Sequence, residues 1–308
     1  MLILLWGLGS ERPLALVHEE LQRLGAPVML IDERELSRVE LQILVGSRIR
    51  GCLRIGDERR DLEAVTALYI RPYDFSSVPD IAAAGPLSPE WAHAAAIEES
   101  LWSWAEMTPA LVVSRPSDMA ANGSKAFQLQ QIRASGFGVP ETLVTTDPVA
   151  AQAFWERHRR VIYKSTSSVR SIVSCLKPDD AVRLADVRYC PTQFQEYVAG
   201  TDHRVNVVGS EVFAAEVISD ATDYRYPGES NVAIRACTLP PEIEQRCLSM
   251  ARAMRLPVAG IDLRRTPDGE WCCFEVNPSP AYTYYQSATD QPISGAIARL
   301  LMAGDPAA

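Results

Sequence analysis

The stretch CCFEVNPSPAYTYY, Cys272 to Tyr285, places a carboxylate inside a run that otherwise reads as a buried strand. Glu275 stands two residues before the amide of Asn277, and Pro278-Ser279-Pro280 ends the run. Upstream, Val258 to Thr266 reads as a partner strand, with Pro267-Asp268-Gly269-Glu270 as the turn between them. A tight loop centred on Asp268-Gly269 sets Asp262 opposite Glu275 and Gly260 opposite Asn277. Strand alternation then groups Gly260, Asp262, Arg264, Cys273, Glu275 and Asn277 on one face. Ile261, Leu263, Cys272, Phe274 and Val276 fill the other. The second set is a core face. The first carries two acids and an amide around the gap left by a glycine.

Two carboxylates about 5 Å apart across a strand pair repel by roughly 3 kcal/mol at an effective dielectric near 20. One arrangement that offsets this is an exposed sheet face screened by Arg264 and water. The other is a divalent cation. The ligands are hard oxygens, which suits magnesium bound together with substrate phosphates. The residues alone leave both readings open.

The rest of the chain sets the context. Its 308 residues favour two or three domains or subdomains. Composition is that of an ordinary soluble globular protein, 47% hydrophobic and 22% charged. The net charge of -9 without a long Lys or Arg run argues against nucleic acid or an anionic membrane as partner. The seven cysteines form no CxxC pair, so they are read as free thiols of a reducing compartment. The apolar start, MLILLWGLGSER, has no basic flank and is too short to span a bilayer; the expected location is the cytoplasm.

Residues 2–5, 27–31, 66–70 and 110–114 read as strands, with helices over 13–24 and 91–106. That is the pattern of a parallel α/β unit. Gly7-Leu8-Gly9-Ser10 lacks the third glycine of a dinucleotide fingerprint and is read as a strand-to-helix turn. Further on, 142–145, 160–164, 192–198, 204–208 and 212–219 read as strands, and 125–135, 241–254 and 293–302 as helices. His18, His93 and His158 fall on helices and are read as surface residues. The fold class is therefore α/β followed by α+β. The expected units are 1–115, 116–194 and 195–308, the last carrying the acids.

AGIDLRR followed by FEVNPSP resembles the metal-binding signature of the ATP-grasp superfamily, in particular its RimK-like branch of carboxylate–amine ligases. The likeness covers roughly residues 115 to 300. It implies a pre-ATP-grasp α/β domain followed by a two-subdomain ATP-grasp fold with antiparallel sheets. It implies ATP and magnesium as cofactors, two ions in the usual case, with manganese as a substitute. Asp262, Glu275 and Asn277 match the metal ligands. Lys125 in NGSKAFQ and Lys164 in VIYKS match the two phosphate-binding lysines, a sensible use of a point charge. The loop after Lys164, STSSVRS, stands where relatives carry a glycine-rich phosphate cover. It has no glycine, and Ser168 and Arg170 are its candidate phosphate contacts. QFQEYVAGTDHR matches the adenine hinge, with Gln195, Glu196, Tyr197 and Val198 along the adenine edge and Asp202 on the ribose. Arg204 and Arg235 are candidates for a phosphate or substrate carboxylate, which a guanidinium pairs well; Arg225 is a lesser one.

The implied activity joins a carboxylate to an amine through an acyl phosphate, releasing ADP and phosphate. The implied partners are small-molecule or peptide substrates, and relatives are commonly homodimers. Other readings are an ATP-grasp kinase that stops at a phosphoester, a nucleotide-binding regulator without turnover, and an oxidoreductase using the GLGS turn.

Overall fold

The computed structural model describes residues 1–165, 173–219 and 232–305. A four-stranded parallel sheet has the order β2-β1-β6-β7, formed by β1 (Leu2–Gly7), β2 (Val28–Asp32), β6 (Val65–Arg71) and β7 (Leu111–Val113). Strand β1 is buried throughout because helices cover both faces, as a central parallel strand requires. Leu2, Leu4 and Trp6 join the core beneath α3 (Pro89–Met107). Ile3 and Leu5 join the core shared with α1 (Arg12–Arg23) and α9 (Ile293–Ala303). On α1, Leu14, Val17 and Leu21 recur at helical spacing and face that core.

Between β2 and β6 the chain adds an antiparallel sheet that the strand pattern did not reveal. It is formed by β3 (Val39–Val45), β4 (Ile49–Ile55) and β5 (Glu58–Asp61). Between β6 and α3 lies the short helix α2 (Pro79–Ala84).

A second antiparallel sheet has the order β10-β9-β11-β8, from β8 (Thr142–Thr145), β9 (Val161–Ser165), β10 (Ser174–Cys175) and β11 (Thr192–Glu196). After the short helix α4 (Pro116–Met119), helix α5 (Lys125–Ala134) precedes this sheet and α6 (Pro148–His158) packs on it. Strand β11 runs through the expected boundary at 194, and the chain changes sheet between Glu196 and Thr201.

The third sheet is antiparallel, ordered β14-β13-β12-β15-β16. Its strands are β12 (Thr201–Val208), β13 (Glu211–Ser219), β14 (Val232–Cys237), β15 (Val258–Arg265) and β16 (Trp271–Asn277). One face packs on α7 (Pro241–Ala253) through Val205, Val207, Ile261, Leu263 and Val276. The other face is partly covered by Tyr285 of α8 (Thr283–Thr289) and by α9.

The expected register holds at the acids: Asp262 faces Glu275 and Gly260 faces Asn277. It is reached by two departures that cancel. Thr266 bonds to Glu270, so the loop has three residues, Pro267 to Gly269, rather than two. This shifts Leu263 onto Cys273, and a bulge at Phe274 shifts the pairing back. The longer loop and the bulge also overturn the expected faces of three residues. Cys272 pairs with Arg264 and so falls on the acid face. Cys273 is fully buried in the core with Leu263, and Phe274 joins the acid face.

Candidate active site

Register carries the site across the third sheet. Arg204 is the Cα partner of Asp262, which is the partner of Glu275. Arg204 donates from Nη1 to Asp262 Oδ1 at 2.7 Å and lies over the Tyr285 ring, 5.4 Å from its centroid. Glycine at 260 makes room for this. A Cβ there would stand 1.9 Å from Arg204 Nη2 and 2.6 Å from the Pro280 ring. The gap expected from the sequence is thus filled by a guanidinium. One row along, Asn206 faces Gly260, and its buried amide has no hydrogen-bond partner among the described residues.

Lys125 reaches the site from the first turn of α5. Its Nζ meets Glu275 Oε1 and donates to Asn122 Oδ1 at 3.0 Å. One turn along the same helix face, the Gln128 side chain pairs with the Val276 backbone in both directions. Its Nε2 donates to Val276 O at 2.7 Å, and its Oε1 accepts from Val276 N at 3.1 Å. Sequence reading missed Gln128, though its spacing from Lys125 was the available signal. Asn277 Oδ1 accepts the Ser279 N–H at 2.9 Å, which turns the chain after the strand. Arg71, at the end of β6, then holds that turn. It donates to Ser279 Oγ at 3.0 Å and Pro280 O at 3.2 Å, while a bidentate pair ties it to Glu11 at 2.7 Å.

The donor set is two carboxylates and an amide oxygen on adjacent strands, with two cationic side chains balancing the acids. Among the described residues no cluster of three His, Cys, Asp or Glu side chains is arranged to hold a metal. The set fits a hard cation that takes further oxygens from a ligand, as magnesium does with phosphates. Arg264 does not screen the acids. It pairs with Asp202 and with the Val198 carbonyl instead. Burial works against its charge, but the Asp202 contact, with smaller contributions from Tyr197 and Cys272, raises its pKa on balance.

The remaining expected residues divide. On the second sheet, Lys164 partners Gln193, and Ile162 partners Gln195. Tyr163 and Phe194 turn to the core under α6, so Lys164, Gln193 and Gln195 share the opposite face. Gln195 donates to Thr142 Oγ1 at 3.0 Å. The Glu196 N–H donates to Glu141 O and the Tyr197 N–H to Arg160 O, both at 3.0 Å. His158, expected as a surface residue, is largely buried and stands 3.3 Å from both Glu141 and Glu196. Arg235 does not join the others. It lies exposed on β14 opposite Glu216, on the face turned away from Asp262. Ser168, Arg170 and Arg225 lie outside the described residues.

The GLGS turn is occupied internally. Gly9 N donates to Asp32 Oδ2 at 3.1 Å, and Arg34 binds both oxygens of Asp32 at 2.9 and 2.6 Å. No helix among the described residues is long and apolar enough to cross a membrane.

Comparison with solved structures finds the whole architecture elsewhere. A RiPP-associated ATP-grasp ligase of Chryseobacterium gregarium, in complex with ADP and a leader and core peptide, superposes with a TM-score of 0.83. It covers 99% of this chain and 97% of its own, at 24% identity. Macrocyclase MdnC of Microcystis aeruginosa MRC, bound with precursor peptide MdnA, gives 0.82 over 98% and 100%, at 22% identity. In sequence, a probable alpha-L-glutamate ligase of Parasynechococcus marenigrum (strain WH8102) is 27% identical over 136 residues. Those residues are 44% of this chain and 28% of the relative. The chain spans 28 to 39% of the length of the first curated relatives it matches. The family description "RimK-like ATP-grasp domain" matches residues 121–301, more than half of the chain. The chain belongs to the RimK-like ATP-grasp family.

Proposed function

We propose that the protein is an ATP-dependent ligase that joins a carboxylate to an amine, with a peptide or amino acid among its substrates. The observation that carries this reading is the row Arg204–Asp262–Glu275–Lys125, in which two facing acids are balanced by two cations. The glutamate-ligase relative supports the reaction class. The peptide complexes of the structural neighbours support a peptide substrate.

Asp262, Glu275 and Asn277 are the residues to hold magnesium, two ions in this reading. Bound magnesium would neutralise triphosphate charge and orient the transferred phosphoryl group. Lys125 and Lys164 bind phosphate oxygens as point charges, with Ser168 as a further contact. Gln195 to Val198 read the adenine edge, and Asp202 takes the ribose hydroxyls. Arg204, held by Asp262 and Tyr285, faces the reacting end. A substrate carboxylate oxygen bonds to the γ-phosphorus as the bond from that phosphorus to the bridging oxygen breaks, and ADP leaves. An amine nitrogen then bonds to the acyl carbon, phosphate leaves, and the nitrogen gives up a proton. The chain contributes positioning and charge stabilisation.

The test is to incubate Mg-ATP with pooled amino acids and peptides, comparing wild type with Glu275→Gln. ADP, phosphate and new amide masses are followed. Wild type is expected to yield all three, and the variant to fall by about a hundredfold or more, the scale of a lost charge-stabilising group. ADP with a phosphoester would make the protein a kinase. Full activity in the variant would remove the metal assignment.

A further inference from the structure

We propose that Arg264 is a positioning residue for the nucleotide, bracing Asp202 and the Val198 carbonyl where the chain passes from the second sheet to the third. This rests on the nucleotide reading above and adds a residue that the expected site does not contain. Strand β11 ends at Glu196 and β12 begins at Thr201, so Tyr197 to Gly200 form the junction. Arg264 on β15 is the Cα partner of Asp202. Its Nε donates to Asp202 Oδ1 at 2.7 Å and its Nη2 to Oδ2 at 2.8 Å. Its Nη1 donates to Val198 O at 2.7 Å. One rigid guanidinium fork thus fixes an acid on β12 and a carbonyl in the junction together.

The surroundings hold the fork in place. Arg264 lies 5.1 Å from the Phe274 ring centroid and 5.8 Å from that of Tyr197, and Arg160 stacks on Tyr197 at 3.7 Å. Phe274 is the bulged residue of β16, so the irregularity that sets the acid register also supplies a wall of the brace. Gly200 has φ +146°, and a Cβ there would stand 2.2 Å from Arg265 O and 3.0 Å from Arg264 Cγ. The junction is therefore pressed directly onto the Arg264 stem.

The pairing does not exhaust Asp202. A carboxylate offers about four acceptor positions, and the fork uses one on each oxygen. The Asp202 side chain keeps 20% of its exposure, which leaves it open to a diol. A lysine in place of Arg264 brings one point charge and cannot span three acceptors with fixed geometry. The expectation is that Arg264 acts on recognition of the ribose and adenine and leaves phosphate binding alone.

The experiment measures equilibrium binding of ATP, 2′-deoxy-ATP, 3′-deoxy-ATP and inorganic tripolyphosphate, all with magnesium. The proteins are wild type, Arg264→Lys, Arg264→Met, Asp202→Asn and the Arg264→Met/Asp202→Asn double variant. Wild type should prefer ATP over the deoxy analogues. In Arg264→Met, ATP binding should weaken about tenfold, the scale of one or two lost charge-assisted hydrogen bonds, and the preference should collapse. Tripolyphosphate should change by less than about twofold, since phosphate contacts are untouched. Arg264→Lys should fall between, and the double variant should be no worse than either single one. A ribose preference that survives in Arg264→Lys and Arg264→Met overturns the brace. So does a tripolyphosphate loss equal to the ATP loss. Should Arg264→Met not fold, Arg264→Lys against Asp202→Asn decides by the same criteria. Wild type that binds tripolyphosphate but no ATP would instead defeat the nucleotide reading.

Discussion

The carboxyl edge of the parallel sheet and the acid face of the third sheet both carry acids paired to arginines, but the pairings differ in reach. At the parallel sheet, Asp32 is bound by Arg34, two residues away, and by the adjacent Gly9 turn. At the third sheet, Asp262 and Glu275 face each other, and their cations come from 58 and 150 residues away. A local pair forms wherever its short segment forms. Pairs that draw their cations from β12 and α5 and their acids from β15 and β16 exist only when four elements are assembled. The long-range pairing on facing acids is the feature on which the proposed active site rests, and the local pair ties off a turn.

The largest expected effect tests this contrast directly. Asp262→Asn should lower kcat for ADP release about a hundredfold or more while the circular dichroism spectrum is preserved. Asp32→Asn should change kcat by less than about threefold and cost roughly 1 kcal/mol of stability, since Asp32 Oδ1 caps the 3-10 turn Glu33–Arg38 by accepting the Arg34 N–H at 3.0 Å. Equal kinetic losses in the two variants would break the comparison.

A smaller effect concerns how α5 is joined to the acid strand. Gln128→Leu leaves the buried Val276 N–H and C=O without their side-chain partner. Denaturant unfolding should show a loss of about 2–4 kcal/mol, since each unsatisfied group costs about 1–3 kcal/mol. A change under about 0.5 kcal/mol would mean that α5 is not anchored through this amide.

The smallest effect sharpens the parallel-sheet side. Glu33 is fully buried, and burial pushes its carboxyl up to about 8; nearby Glu98, Asp32 and Asp74 add to the rise, while the Tyr73 N–H opposes it. The folded state therefore keeps a proton that the unfolded chain releases near its ordinary value of 4.5. Stability from this group is complete at low pH and falls as pH rises through that window, on the order of 3 kcal/mol between pH 5 and 8. Glu33→Gln should flatten the pH dependence of the unfolding midpoint across this range. An unchanged slope would show that Glu33 titrates normally.

The sequence by itself determined the parallel opening unit, the later antiparallel strands and the facing of Asp262 and Glu275, because alternation and turn signals are local properties of the chain. Lys125 and Asp202 were candidates through a likeness that covers roughly residues 115 to 300, and the structure pairs them with Glu275 and Arg264. The β3–β5 sheet went unread although Val39-Glu40-Leu41-Gln42-Ile43 alternates apolar and polar residues, and its third strand, Glu58–Asp61, is wholly polar and exposed. Tertiary structure alone decided the rest. The three-residue loop and the bulge at Phe274 cancel at the acids but reverse Cys272, Cys273 and Phe274. Arg264 turned from the acids to Asp202, Arg204 filled the space over Gly260, and Arg235 fell on the far face. Each outcome depends on which strand lies beside which, and a guanidinium takes the carboxylate that the assembled sheet brings within hydrogen-bond reach.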